Sequence, residues 1–345
     1  MPVKRKLISL LAVALFSSDG WAQTNFPASQ PLAPLLQDAS GRRINSRSAW
    51  RKQRDDLQKQ WRAFLGPFPT KPPLKAETLG AEELPGFTRQ HVQYQIEPGV
   101  FIDGYLLMPT KAKGKLPAVV VFHPTTPFQA RGVAGLEPEY PEEKWQGVQL
   151  VQRGYVVWCP RNYINTEGAD WVGNAKRVLA AHTNWTGMTR MVWDAIRAVD
   201  FLESLPNVDR KRIGCLGHSL GGKQALYAAA FDERIKAAVS SEGGIGLKFS
   251  NWDAPWYLGP KIHTSDFKLE NHQLLALLAP RAFLLLAGDS ADGERSGEFI
   301  EAARAVYELF GARDNLQWFN HHGGHRYSPD ARAVAETFLD RYLKR

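Results

Sequence analysis

The chain is poor in cysteine, with 2 among 345 residues, and carries only 4 methionines. Two cysteines exclude a scaffold built from disulfides and any cysteine-rich zinc module. Long hydrophobic runs are missing too. The longest, from Leu7 to Phe16, spans ten mainly apolar residues, about half of the roughly 20 needed to cross a bilayer. No long run of like charge and no internal repeat is visible, and nothing clusters charge on a nucleic-acid recognition element. What remains is 44% hydrophobic, 23% charged and 11% aromatic residues, the composition of a folded globular protein.

The N-terminus has three parts: basic Lys4, Arg5 and Lys6, the short apolar run, and a small-residue stretch ending at Gly20-Trp21-Ala22. This is the pattern of a secretory signal peptide cleaved after Ala22. It predicts an exported protein, secreted or periplasmic, with no membrane span. Removing residues 1–22 lowers the formal charge from +8 to +6, because three basic residues and Asp19 leave together. Cys159 and Cys215 then meet an oxidising compartment. Both lie in short apolar runs that read as buried strands, and an intervening strand would hold them about 9 Å apart, too far for a bridge.

Residues 23–86 read as a linker and an N-terminal helical arm. Ser46 or Ser48 is placed to cap a helix running to Leu65, with Trp50, Leu57, Trp61, Phe64 and Leu65 on one face and Gly66-Pro67 ending it. From Phe87 to the end, residues 87–345 read as one α/β catalytic domain. Phe87–Ile96 and Phe101–Met108, joined through Pro98-Gly99, predict an antiparallel pair. Six short apolar runs follow: Ala118–Phe122, Tyr155–Cys159, Arg212–Leu216, Ile235–Ser240, Arg281–Ala287 and Leu316–Asn320. Helical patterns at Pro141–Arg153, Met188–Leu205, Leu220–Phe231, Gly297–Phe310 and Ser328–Leu343 alternate with them. The expectation is a mostly parallel eight-stranded sheet with helices on both faces. Asn162–Gly187 and Gly243–Asn271 break the alternation and read as long loops over the carboxyl ends of strands, where ligands bind.

Gly217-His218-Ser219-Leu220-Gly221 follows one predicted strand and opens the next helix. G-x-S-x-G in that context is a nucleophile elbow: the tight turn excludes Cβ atoms at the glycines and lifts the serine oxygen to a helix N-terminus. A base is then required late in the chain. His325, in Asn320-His321-His322-Gly323-Gly324-His325, stands in the right order after the last strand. For the acid, Asp292 is preferred over Asp289 because it lies farther along the loop after Ala287, and Glu242 is the second candidate. Backbone donors for an oxyanion are predicted at Leu220 and in His123-Pro124-Thr125-Thr126-Pro127, where the prolines lack an N–H and Thr125 comes first. No metal or organic cofactor is implied, since the three late histidines have no supporting cysteine or regularly spaced carboxylate.

In strand order, elbow and triad order, residues 87–345 resemble the α/β-hydrolase fold family. Within it, Gly217–Lys223 and Ser240–Gly244 resemble the glucuronoyl esterases and related carbohydrate esterases. That resemblance implies a lysine four residues after the serine, here Lys223, contacting a uronic acid, and a catalytic glutamate after the next strand, here Glu242. The arginine that the family has directly after its serine is Leu220 here. The chain is also similar to acetyl xylan esterase-like and dienelactone hydrolase-like proteins, although the latter use cysteine where Ser219 stands. Prolyl oligopeptidases share the catalytic pattern, but the 64 residues between Ala22 and Phe87 are too few for a propeller with blades of ~40 residues. The resulting expectation is an exported serine esterase acting on a small-molecule or polysaccharide ester. Trp252, with Trp171, Trp185 and Trp256, would stack on sugar rings. A peptidase or a non-catalytic polysaccharide-binding protein on the same fold is the alternative, and the oligomeric state is left open.

Overall fold

In the computed structural model, residues 31–38, 40–111, 113–165 and 170–344 are described. The predicted signal segment, residues 1–22, lies outside them. Helix α1 (Arg47–Leu65) starts at Ser46, whose side chain accepts from the Ala49 amide, and buries Trp50, Leu57, Trp61 and Leu65 as the spacing predicts. The strands follow as β1 (Glu77–Leu84), β2 (Phe87–Glu97), β3 (Val100–Pro109), β4 (Leu116–Phe122), β5 (Val156–Pro160), β6 (Val208–His218), β7 (Ile235–Ser241), β8 (Ala282–Ala287) and β9 (Leu316–Asn320). The remaining helices are α2 (Gln129–Val133), α3 (Gln146–Gln152), α4 (Trp171–Ala181), α5 (Gly187–Ser204), α6 (Leu220–Phe231), α7 (His272–Leu278), α8 (Gly297–Leu309) and α9 (Pro329–Leu343).

One nine-stranded sheet forms in the order β1-β2-β3-β5-β4-β6-β7-β8-β9. The pairs from β5 to β9 are parallel, and β1, β2 and β3 join antiparallel at one edge. The fold is therefore of α/β-hydrolase type, with one strand more than the expected eight. The extra strand is β1, which is exposed along nearly its whole length and so lacks the alternation that marks a half-buried strand. Three helices also escape prediction, one of them the five-residue α2. α7 is buried on every side, which removes the polar stripe that reveals a helix, and α4 lies inside the stretch Asn162–Gly187.

Successive strand residues face opposite layers. Val119 and Val121 pack with α2, α3 and α9, whereas Val120 and Phe122 pack on the side of α1, α5, α6 and α7. Cys159 belongs to the first layer and Cys215 to the second, with β4 between their strands. Both are free and buried, and strand separation together with opposite facing forbids a bridge. The parallel arrangement brings the carboxyl ends of β4, β6, β7, β8 and β9 to one edge. Thr125, Ser219, Glu242, Asp292 and His325 stand in loops at that edge, and Leu220 and Lys223 in the first turn of α6.

Candidate active site

Ser219 sits between β6 and α6 with φ +57° and ψ −116°, a strained conformation for a residue with a side chain. Backbone bonds hold it there: its amide donates to the Ser241 carbonyl at 2.8 Å, and its carbonyl accepts from the Lys223 amide at 3.1 Å. The elbow glycines are obligatory. A Cβ on Gly217 would run into the Gly221 backbone, and one on Gly221 would run into the Phe122 carbonyl at the end of β4. Leu220 opens α6, so its amide is one of the first-turn donors without a helical acceptor.

His325 is carried by the loop between β9 and α9, and 44% of its side chain is exposed. The Ser219 hydroxyl lies 2.9 Å from its Nε2. On the other side, Nδ1 lies 3.1 Å from Glu242 Oε2. Glu242 follows β7 with φ +50° and is fully buried. Its carboxylate also accepts from the Gly288 amide and, at 2.8 Å, from the Ala291 amide. A buried carboxylate satisfied by fixed amides and one imidazole N–H holds that ring in the tautomer whose Nε2 is free to accept a proton. His218, the residue before Ser219, shapes the floor: its Nδ1 meets Ser241 Oγ at 3.0 Å and its ring lies 5.0 Å from that of His325. Burial drives its pKa well below the ordinary histidine value. The motif does not fix the residue before the serine, so His218 carries no signal of its own in the sequence.

The preference for Asp292 as the acid is corrected. Its oxygens accept from the Gly244 and Ile245 amides, each at 2.7 Å, and from Ser296 Oγ at 2.9 Å. It thereby ties the loop after β8 to the loop after β7 and does not reach His325. Burial first, and the nearby Glu242 charge second, raise its pKa. Asp289 is also directed elsewhere, bonding Asn320 Nδ2 and His322 Nδ1, each at 2.6 Å. His321 Nδ1 accepts from the Gly323 amide at 3.0 Å, and no group of residues able to hold a metal ion occurs among the described residues.

Two further expectations change. Trp252 is fully buried, its Nε1 donating to the Gly244 carbonyl at 2.7 Å, so it presents no open ring face to a sugar. Lys223 is not presented to a ligand either. It is 3% exposed, its ammonium bonds the Gly243 carbonyl and Ser250 Oγ, and it lies over the rings of Trp252 at 4.8 Å and Tyr257 at 5.3 Å. Burial lowers its pKa to about 7, against the pull of Asp292 and Glu242. Both residues brace the loop that carries Glu242. Trp171, Trp185 and Trp256 remain half-buried. Trp185 is anchored through Nε1 to the Pro67 carbonyl at 2.7 Å, and Trp171 and Trp256 meet edge to face at 6.4 Å.

The loop after β4 holds Thr125, exposed and hydrogen-bonded to the Tyr257 side chain. Buried His123 fixes that loop: its Nδ1–H donates to the Pro124 carbonyl at 2.7 Å, and its Nε2 accepts from the Asn162 amide at 3.1 Å.

Residues 102–266 match the Dienelactone hydrolase family, a span that includes Ser219 and Glu242 but ends before His325. YtaP of Bacillus subtilis (strain 168), described only as a hydrolase, is 28% identical over 307 residues, which are 84% of this chain and all of YtaP. The 4-O-methyl-glucuronoyl methylesterase 1 of Sodiomyces alcalophilus is 29% identical over 191 residues, 45% of this chain. The match spans only 38% of that methylesterase's length. Among solved structures, a glucuronoyl esterase from Solibacter usitatus superposes with a TM-score of 0.75 at 23% identity, over 92% of this chain and 98% of that one. That likeness establishes a shared fold.

Proposed function

We propose that this α/β-hydrolase-fold protein, similar to dienelactone hydrolase-family and glucuronoyl esterase proteins, is an exported serine hydrolase that cleaves carboxylic esters of carbohydrates. The observation that carries the reading is the unbroken hydrogen-bond chain from Ser219 through His325 to Glu242 at a strained elbow. Strain of this kind clusters at functional sites, and the arrangement has the geometry of nucleophile, base and orienting acid.

In the proposed reaction Ser219 Oγ attacks the ester carbonyl while its proton passes to His325 Nε2. The Leu220 and Thr125 amides receive the charge that develops on the carbonyl oxygen. His325 then gives the proton to the departing alcohol, leaving an acyl-serine that water hydrolyses by the same route. Glu242 accepts from Nδ1–H and stabilises the imidazolium. The name of the methylesterase relative supports a sugar acid as the acyl part of the ester.

Replacing Ser219 by Ala tests the chemistry: hydrolysis of a nitrophenyl ester should disappear, and unchanged turnover would exclude the serine mechanism. A panel of acetyl, feruloyl and methyl-glucuronoyl esters, with a dipeptide amide alongside, tests the substrate class. Preferential cleavage of the amide would favour the peptidase reading.

A further inference from the structure

A second cleft lies at the opposite edge of the sheet, where β7 and β8 begin. It encloses about 480 Å3 between α1, the start of β8 and the end of α8, a size suited to a small molecule. Its lining is strongly basic: Arg47, Arg51, Arg54, Lys236 and Arg281 face two carboxylates, Asp55 and Glu233. Only Arg54 pairs with one of these, its Nη2 lying 2.5 Å from Glu233. Arg47 is held by carbonyls, those of Leu309 at 3.1 Å and Phe310 at 3.0 Å, and Lys236 by the Glu233 carbonyl at 2.8 Å. Such contacts orient the cations without neutralising them.

Behind the lining, two buried donors have no protein partner among the described residues. Arg281 gives Nη1 to the Asp232 carbonyl at 3.2 Å and to the Ile235 carbonyl at 2.8 Å, while its buried Nη2 bonds nothing. Trp50 is fully buried, and its Nε1 is equally unpaired. Buried donors are normally satisfied, and a guanidinium with one fork occupied presents the other to a planar oxyanion. Burial first, and the Arg54 charge with it, lower the affinity of Arg281 for its proton against the pull of Tyr307, Glu233 and Asp232, a cost that a bound anion offsets.

We infer that this cleft is a second binding site, remote from Ser219, for a small molecule bearing an oxyanion, whether the carboxylate of a sugar acid or a phosphate. The site stands independently of the proposed esterase activity.

Titration calorimetry of the full chain with sodium glucuronate, inorganic phosphate and neutral xylose tests it. At least one of the two anions binds and xylose does not; glucuronate alone identifies a sugar-acid site, and phosphate alone a phosphate site. In Arg51→Ala and in Lys236→Ala, both at exposed lining residues, affinity falls about threefold to tenfold, the loss of one charged contact each. Nitrophenyl ester turnover in Arg51→Ala stays at the wild-type level, showing an intact fold. Absence of binding by both anions, or binding that neither substitution weakens, overturns the inference. The second result would place the anion elsewhere, including at the Ser219 site.

Discussion

At the scale of single residues, two buried acids 50 positions apart in the chain divide the work that either could have done. Glu242 lies within 3.1 Å of His325 Nδ1, and Asp292 binds only amides and a hydroxyl of neighbouring loops. Substituting them should therefore have different consequences. Glu242→Gln loses the charge that supports the imidazolium, and kcat should drop by about a hundredfold to ten-thousandfold. Asp292→Asn keeps kcat within about tenfold but leaves a buried amide unpaired, lowering stability by about 1–3 kcal/mol. Steady-state kinetics and urea unfolding of both variants distinguish the two roles, and an equal loss of kcat in both would contradict the assignment. His123 provides a test by pH. Burial lowers its pKa from 6.5 to about 4, so between those values the unfolded chain binds a proton that the folded chain refuses. Stability is intact above pH 6.5 and declines as the pH falls toward 4, by roughly 3 kcal/mol from this residue. His123→Gln should show a shallower decline between pH 7 and 4.5 in thermal unfolding, even though it is less stable at neutral pH.

Among the elements, α1 shows how a predicted arm becomes part of the body. Its apolar stripe is legible in sequence, but the surface that receives it is not. Trp61 is fully buried, meets Tyr227 of α6 edge to face at 5.7 Å and donates from Nε1 to Gln273 of α7 at 3.1 Å. Trp61→Ala should cost about 3–5 kcal/mol, read as a lowered urea midpoint; a loss below 1 kcal/mol would mean that the arm is docked only loosely. The elbow behaves in the opposite way. β6, the turn and α6 follow from a short motif because glycine placement and strand–helix punctuation are local demands. The acid could not be chosen so simply. Three carboxylates occupy loops of the right length, and which of them meets the histidine depends on the paths of two loops distant in sequence.

For the whole molecule, the sheet order decides the fate of the two cysteines. They lie on strands separated by β4 and face opposite helical layers, and burial raises both thiol pKa values, which suppresses the reactive thiolate. A thiol reagent should find neither cysteine in the native chain and both after denaturation. Rapid reaction of either in the folded protein would contradict the packing.

Local patterns in the sequence determined the alternating architecture, the serine elbow and a late histidine, because periodicity, glycine sterics and chain order act over a few residues. Tertiary structure decided that Glu242, and not Asp292, meets His325, that Lys223 and Trp252 are buried bracing a loop, and that an exposed ninth strand closes one edge. It also gathered a basic cleft from residues more than 200 positions apart. Each of these depends on which distant surfaces exclude water from one another, and no window of sequence contains that information.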